Sequence, residues 1–249
     1  MHGKRDVGHN GRMRIDMEKL YAAHPFAREI LNRLKGAGHR AVIVGGAVRD
    51  ALLTSRSGKR YAPEDVDIAT SAPPKEVRRL FPDRKVLTVG ESFGVVVVVA
   101  PDGRGYEVAT FRTEEGYADG RRPDRVRWGA LEEDVRRRDF TVNGLAATPE
   151  GEVIDLVGGL SDLADRIIRT IGDPERRFSE DYLRMLRAVR FSCQLDFEIE
   201  EETRAAIRRH AAKIKEISCE RVRDELLRIL ATPRSHQGIL LLSELELLP

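Results

Sequence analysis

Val44-Gly45-Gly46-Ala47-Val48-Arg49-Asp50, followed downstream by Asp65-Val66-Asp67, is the stretch on which the fold of this chain turns. Residues 39–44 read as a strand, Gly45-Gly46 as a tight turn and residues 47–53 as a short helix. Glycines at such a turn leave backbone N–H groups open, and the helix N-terminus adds partial positive charge at the same point. Phosphate oxygens suit that environment, and Arg49 stands in the first helical turns as a further charged donor. Asp65 and Asp67 are two apart on an expected short strand around residues 66–69, so both carboxylates leave one face. Paired carboxylates suit Mg²⁺, a hard ion that takes oxygen ligands and keeps substrate phosphates in its shell. Glu107, on a later strand, is the candidate for a third carboxylate. Each piece alone has an ordinary reading, the glycines as a plain turn and the Asp-x-Asp as a solvated edge or a cap. In this order and spacing they build one pocket.

Working outward, residues 17–38 carry apolar positions at helical spacing, with Gly36 and Gly38 as the stop, and residues 1–16 read as a disordered leader. Residues 54–63 read as a loop. Pro73-Pro74 opens a helix to Leu80, since proline is tolerated in a first turn. Strands are expected at 93–100 and 106–111, joined through Pro101-Asp102-Gly103 as a hairpin. Glu114 to Arg127 is polar and rich in Gly, Pro and charge, as a mobile surface loop is. From Leu131 the pattern is helical apart from a short strand at 152–155. Strands early and helices late make an α+β chain with a boundary near residue 147.

The chain has 249 residues, with 43 Lys+Arg against 41 Asp+Glu and a net charge of +2. No global basic field announces nucleic acid; basic character is local, at Arg121–Arg138 and Arg184–Arg190. Two cysteines, Cys193 and Cys219, lack neighbours at metal-ligand spacing, so neither a disulfide framework nor a zinc site is expected and a reducing cytoplasm fits. The longest aliphatic run, 95–100, is too short to span a membrane.

The glycine turn and Asp65-Val66-Asp67-Ile68-Ala69-Thr70 closely resemble the class II tRNA nucleotidyltransferase and bacterial poly(A) polymerase family, within the polymerase-β-like nucleotidyltransferase superfamily. The resemblance continues in order through Glu107-Val108-Ala109-Thr110-Phe111-Arg112, Arg137-Arg138-Asp139-Phe140-Thr141-Val142-Asn143-Gly144 and Glu180-Asp181-Tyr182-Leu183-Arg184. It implies a polymerase-β-like head with a mixed sheet at 17–147 and an all-helical neck at 148–249. It also implies template-independent addition of nucleotides from CTP and ATP to an RNA 3′ end, the tRNA CCA end foremost, by two-metal-ion catalysis with Mg²⁺. By the same resemblance Asp65 and Asp67 hold the metals, and Gly45 and Gly46 with Arg49 contact the nucleotide. Arg138, Arg187 and Arg190 touch the bound nucleotide, and Asp139 orients arginines or sugar. Asp181 and Arg184, three apart on an expected helix and so neighbours on one face, read the base edge. As bare sequence, Arg136–Asp139 reads rather as a solvated helix face paired with Glu132, Glu133 and Asp134, and Asp181/Arg184 is equally an ordinary helical ion pair.

Some departures stand out. The family's Gly-Thr pair is here Phe93-Gly94-Val95, Asn143-Gly144 replaces Asn-Ala, and the helical body and tail that grip tRNA do not follow Leu248-Pro249, from which weak RNA affinity is expected. The loop at 114–127 is associated with terminal A addition in the family and disfavours a CC-only enzyme. A poly(A) polymerase or A-adding specialist shares every motif quoted. A non-catalytic RNA- or nucleotide-binding module is the reading of another class, and the retained acids argue against it.

Overall fold

The computed structural model describes residues 13–57, 63–115 and 125–248, which divide between two compact units. The first falls within Met1–Thr113, Val126–Arg137 and Asn143–Leu156. It contains α1 (Met17–Ala23), α2 (Pro25–Gly36), β1 (Ala41–Val44), α3 (Gly46–Ser57), β2 (Asp67–Thr70) and α4 (Pro74–Leu80). After these come β3 (Val86–Gly90), β4 (Val95–Val99), β5 (Gly105–Thr110), α5 (Leu131–Arg136), β8 (Ala146–Ala147) and β9 (Val153–Ile154), while the residues of β6 (Arg112–Glu115) and β7 (Arg125–Trp128) are divided between the units. Seven of these strands form one mixed sheet in the order β3-β4-β5-β2-β1-β8-β9, and β6 pairs with β7.

Apolar residues at alternate positions decide which side of the sheet is covered. Ile43, Ile68, Val108 and Val96 lie in register across β1, β2, β5 and β4, each at most 1% exposed. The α2 residues Ile30, Leu31 and Leu34 are fully buried, each such side chain stabilising the unit by ~1.5–3 kcal/mol. The intervening row, Val44 opposite Asp67 and Val97 opposite Glu107, brings acids to the other side.

Several expectations need correcting here. The single helix expected at 17–38 breaks at His24 (φ −133°, ψ 67°), because the residue before Pro25 is pushed out of helical geometry. Residues 13–16 are ordered rather than part of a disordered leader: Arg14 bridges to Glu152, Ile15 is buried, and Asp16 caps α1 through the amides of Glu18 and Lys19; residues 1–12 lie outside the described residues. The loop expected at 54–63 is helical to Ser57, and residues 58–62 lie outside the described set. The loop expected at 114–127 is strand at both ends, in β6 and β7, while 116–124 lie outside the described residues. β4 starts later than expected, after a 3-10 turn, Glu91–Phe93, that ends at Gly94 with φ +79°. A Cβ there would meet the Trp128 ring at 2.6 Å, so both conformation and space demand glycine.

The described residues of the second unit fall within Glu114–Arg125, Arg138–Val142 and Val157–Pro249. Its elements are α6 (Gly159–Asp165), β10 (Ile167–Ile168), α7 (Pro174–Glu180), α8 (Leu183–Leu195), β11 (Glu198–Ile199), α9 (Glu201–His210), α10 (Cys219–Leu230) and α11 (Ser235–Glu244). α8 is its hub, burying Met185, Leu186, Ala188 and Val189, with Phe191 edge-on to Phe140 at 5.8 Å. The unit is largely but not wholly helical: β10 and β11 form a two-residue parallel ladder. No helix among the described residues is long and apolar enough to cross a membrane.

Candidate active site

Topology gathers the acids beside the glycine turn. β1 ends at Val44, which is paired with Asp67 at the start of antiparallel β2, so the Gly45-Gly46 turn and Asp67 share one end of the sheet. β5 runs parallel to β2 with Val108 opposite Ile68, and carrying the register back one residue sets Glu107 beside Asp67. Asp65 and Asp67 are exposed, with buried Val66 between them. Asp65 lies before β2 begins, so the same-face argument from strand pleating holds for Asp67 and Glu107 and not for Asp65. The Glu107 carboxyl is pushed up from its ordinary value by partial burial first, then by the charges of Asp67 and Asp65.

Among the described residues no three or more His, Cys, Asp or Glu side chains form a ready metal cage. Two exposed carboxylates with a third acid beside them suit Mg²⁺, which is bound through one or two carboxylates plus substrate phosphates rather than by an all-protein cage.

Gly45 adopts φ +75°, which favours glycine, and turns the chain from β1 into α3. A Cβ on Gly46 would stand 3.5 Å from Arg49 Nη2, an ordinary contact. Arg49 is buried at 3% exposure, its Nε donating to Asp50 Oδ1 (2.8 Å) and its Nη1 to Asn143 Oδ1 (2.5 Å). Asn143 therefore fixes the guanidinium beneath the turn. Its role was missed from sequence, where it stood only as part of a matching motif.

The remaining candidates lie in the second unit. Asp139 is buried, and its Oδ2 accepts from Arg187 Nε (2.9 Å) and Nη2 (2.5 Å) while Oδ1 accepts from the Phe140 amide. The Coulombic pull of Asp139 raises the Arg187 pKa. Arg138, one residue earlier, is half-buried. Arg190 donates to Glu225 Oε2 (2.6 Å) and lies over the Phe191 ring at 4.1 Å. Burial is the main influence lowering the Arg190 pKa, with the charges of Arg187 and Arg228 adding to it and Glu225 opposing.

The helix expected to carry Asp181 and Arg184 on one face is not continuous. Asp181 sits at the break between α7 and α8 with φ −158°, where its Oδ1 caps α8 by accepting from the Leu183 amide at 3.1 Å. Asp181 Oδ2 pairs with Arg221 Nη2 (2.7 Å), and Arg184 Nη1 with Glu180 Oε2 (2.7 Å). The two proposed base readers thus have separate partners. Glu180, four before Arg184, was legible from i,i+4 spacing; Arg221 and Glu225, far along the chain, had no local signal.

Residues 41–169 match the family of the poly(A) polymerase head domain, and residues 196–249 match the "Probable RNA and SrmB- binding site of polymerase A". The chain is 46% identical over 226 residues to a CCA-adding enzyme of Levilactobacillus brevis, covering 90% of this chain and 55% of that protein. It is 49% identical over 216 residues to a CCA-adding enzyme of Geobacillus sp., covering 86% and 51%. Among solved structures, the Bacillus stearothermophilus CCA-adding enzyme in complex with CTP superposes with TM-score 0.79 at 42% identity, over 91% of this chain and 52% of that one. This chain spans about half the length of the curated relatives it matches.

Proposed function

The chain belongs to the family of the poly(A) polymerase head domain, and from that premise we propose that it is a template-independent RNA nucleotidyltransferase. It adds CMP and AMP from CTP and ATP to a tRNA 3′ end, making or repairing CCA. The observation that carries this is the convergence of the Gly45-Gly46 turn with Asp67 and Glu107 at one end of the sheet. The relatives support the choice of reaction, since they are CCA-adding enzymes, one of them solved with CTP.

On this reading Asp65 and Asp67 hold Mg²⁺, and Glu107 supplies the third acid. The cation, when bound, offsets phosphate charge and acidifies an attacking hydroxyl. The open amides of the glycine turn and the N-terminus of α3 take triphosphate oxygens, with Arg49 held ready by Asn143. In the second unit Asp181 and Arg184 present acceptors and donors to the base edge, while Arg138, Arg187 and Arg190 meet the nucleotide. Asp139 sets the Arg187 guanidinium. Because Asp181 and Arg184 are paired to Arg221 and Glu180, a nucleotide exchanges those bonds rather than meeting open groups. The free thiols of Cys193 and Cys219 favour a cytoplasmic setting.

The test supplies tRNA transcripts ending before, within and after CCA with CTP, ATP or both. Addition that stops at CCA is the expected outcome. Long A tails from ATP alone would assign poly(A) synthesis instead. CTP binding without any incorporation would make the chain a binding module. Asp65→Ala and Asp67→Ala should each lower kcat by about 10³-fold, or ~4 kcal/mol. Melting temperature should hold, both side chains being exposed; full activity in both variants would refute the metal assignment.

A further inference from the structure

His24 is an unusual residue to bury: it is 2% exposed at the junction of α1 and α2, and although it occupies the N-cap position its side chain caps nothing. The imidazole is engaged elsewhere. Nε2 lies 2.8 Å from the carbonyl oxygen of Pro63. Nδ1 lies 3.2 Å from Arg104 Nη1 and 3.4 Å from Tyr106 Oη, and the Tyr106 ring meets the imidazole edge-on at 5.9 Å.

The partners fix the tautomer. A carbonyl oxygen only accepts, so Nε2 carries the hydrogen; a guanidinium only donates, so Nδ1 keeps its lone pair. The ring's directed donor is Nε2–H, and that donor holds Pro63.

Pro63 lies two residues before Asp65, and Tyr106 one before Glu107. Proline's ring fixes φ, so anchoring its carbonyl constrains the direction in which the chain enters Glu64-Asp65. On the far side, Val66 is buried at 3% exposure. Asp65 is outside the β2 ladder, which begins at Asp67, and among the described residues it has no strand partner to place it. It is held between two anchors, Pro63 on His24 and Val66 in the core.

We propose that His24 is a positioning residue for the acidic site: through the Pro63 carbonyl it sets Asp65 beside Asp67 and Glu107. This rests on the assignment of Asp65 and Asp67 as metal ligands. The role predicts that the donor at Nε2 matters, not the ring as such. His24→Gln carries an amide donor at the position of Nε2, whereas His24→Phe keeps the ring without a donor and His24→Asn places its donor nearer Nδ1.

The experiment measures Mn²⁺ binding to the full chain without nucleotide, by the spectrum of free Mn²⁺, with melting followed by circular dichroism. We expect His24→Gln to bind Mn²⁺ within about two-fold of the parent, and His24→Phe and His24→Asn to bind ten-fold or more weakly while still folded. In turnover the same two variants should need correspondingly more Mg²⁺, and His24→Gln should not. Either His24→Phe or His24→Asn decides the matter if the other fails to fold. Parent-like Mn²⁺ affinity in folded His24→Phe or His24→Asn overturns the proposal, and so does a loss in His24→Gln equal to theirs. Asp67→Ala separates the two claims: parent-like Mn²⁺ binding there removes the metal assignment itself, whatever His24 does.

Discussion

Truncating Asn143 to alanine takes away the acceptor that Arg49 Nη1 reaches at 2.5 Å, in a place where both residues are buried. We expect Asn143→Ala to cost about 1–3 kcal/mol in urea unfolding, the price of a charged donor losing its buried partner. It should also raise the KM for CTP; an unchanged KM would detach Arg49 from nucleotide binding. A second residue-scale prediction concerns Asp83, whose carboxyl is held down to about 2, chiefly by hydrogen bonds from Arg33. A depressed carboxyl stabilises the fold above its unfolded value, ~3.9, and that contribution fades as pH falls through about 2. The stability gap between the parent and Asp83→Asn should therefore be flat near neutral pH and close between about pH 4 and 2. A gap that widens on acidification would contradict the ion pair. At this scale Asp67 and Glu107 were legible, because strand alternation sends polar residues to one side. Asp65 was placed one step wrong, since nothing local marks where a ladder's last bond falls.

Glu225 joins two helices: from α10 it takes Arg190 of α8 at 2.6 Å, with Arg228 at 3.3 Å and Arg187 at 3.9 Å. Glu225 is 3% exposed, so removing it leaves the half-buried Arg190 without its carboxylate and with Gln194 as a remaining hydrogen-bond partner. Glu225→Ala should destabilise by about 3–5 kcal/mol in urea unfolding, and the double variant Glu225→Met with Arg190→Met should recover much of that. Additive losses would show that the pair is not coupled. Elements were legible where periodicity is strong, as in β1, β2, β5 and α4. They were missed where it is weak: β3 is an edge strand with a register shift between Leu87 and Gly90, and β10 and β11 are two residues each. The break at His24-Pro25 was written in the proline, yet the apolar spacing runs through it. The break at Asp181 came from a side chain capping α8 where a helical ion pair was expected.

For the molecule as a whole, 43 basic residues nearly balance 41 acidic ones. Several arginines proposed to meet the nucleotide are already matched within the chain, Arg184 by Glu180, Arg187 by Asp139 and Arg190 by Glu225. RNA phosphates must compete with those carboxylates, so few counterions are released on binding. We expect log K against log salt for a tRNA 3′ end to have a slope smaller in magnitude than ~4, or about five phosphates; a slope near 10 would reveal a continuous basic track. The division into strands first and helices after was readable from the sequence because periodicity changes from two to about 3.6 along the chain. The pairs of Arg187 with Asp139 and of Arg190 with Glu225 were not, since their members are brought together only by folding. One detail of the first unit gives this chain an optical property. Trp128, seated on Gly94 and 52% exposed, is the sole tryptophan. All indole emission therefore arises from one spot at the end of β7, so intensity, wavelength and quencher access report on that strand end with no background from the rest of the protein.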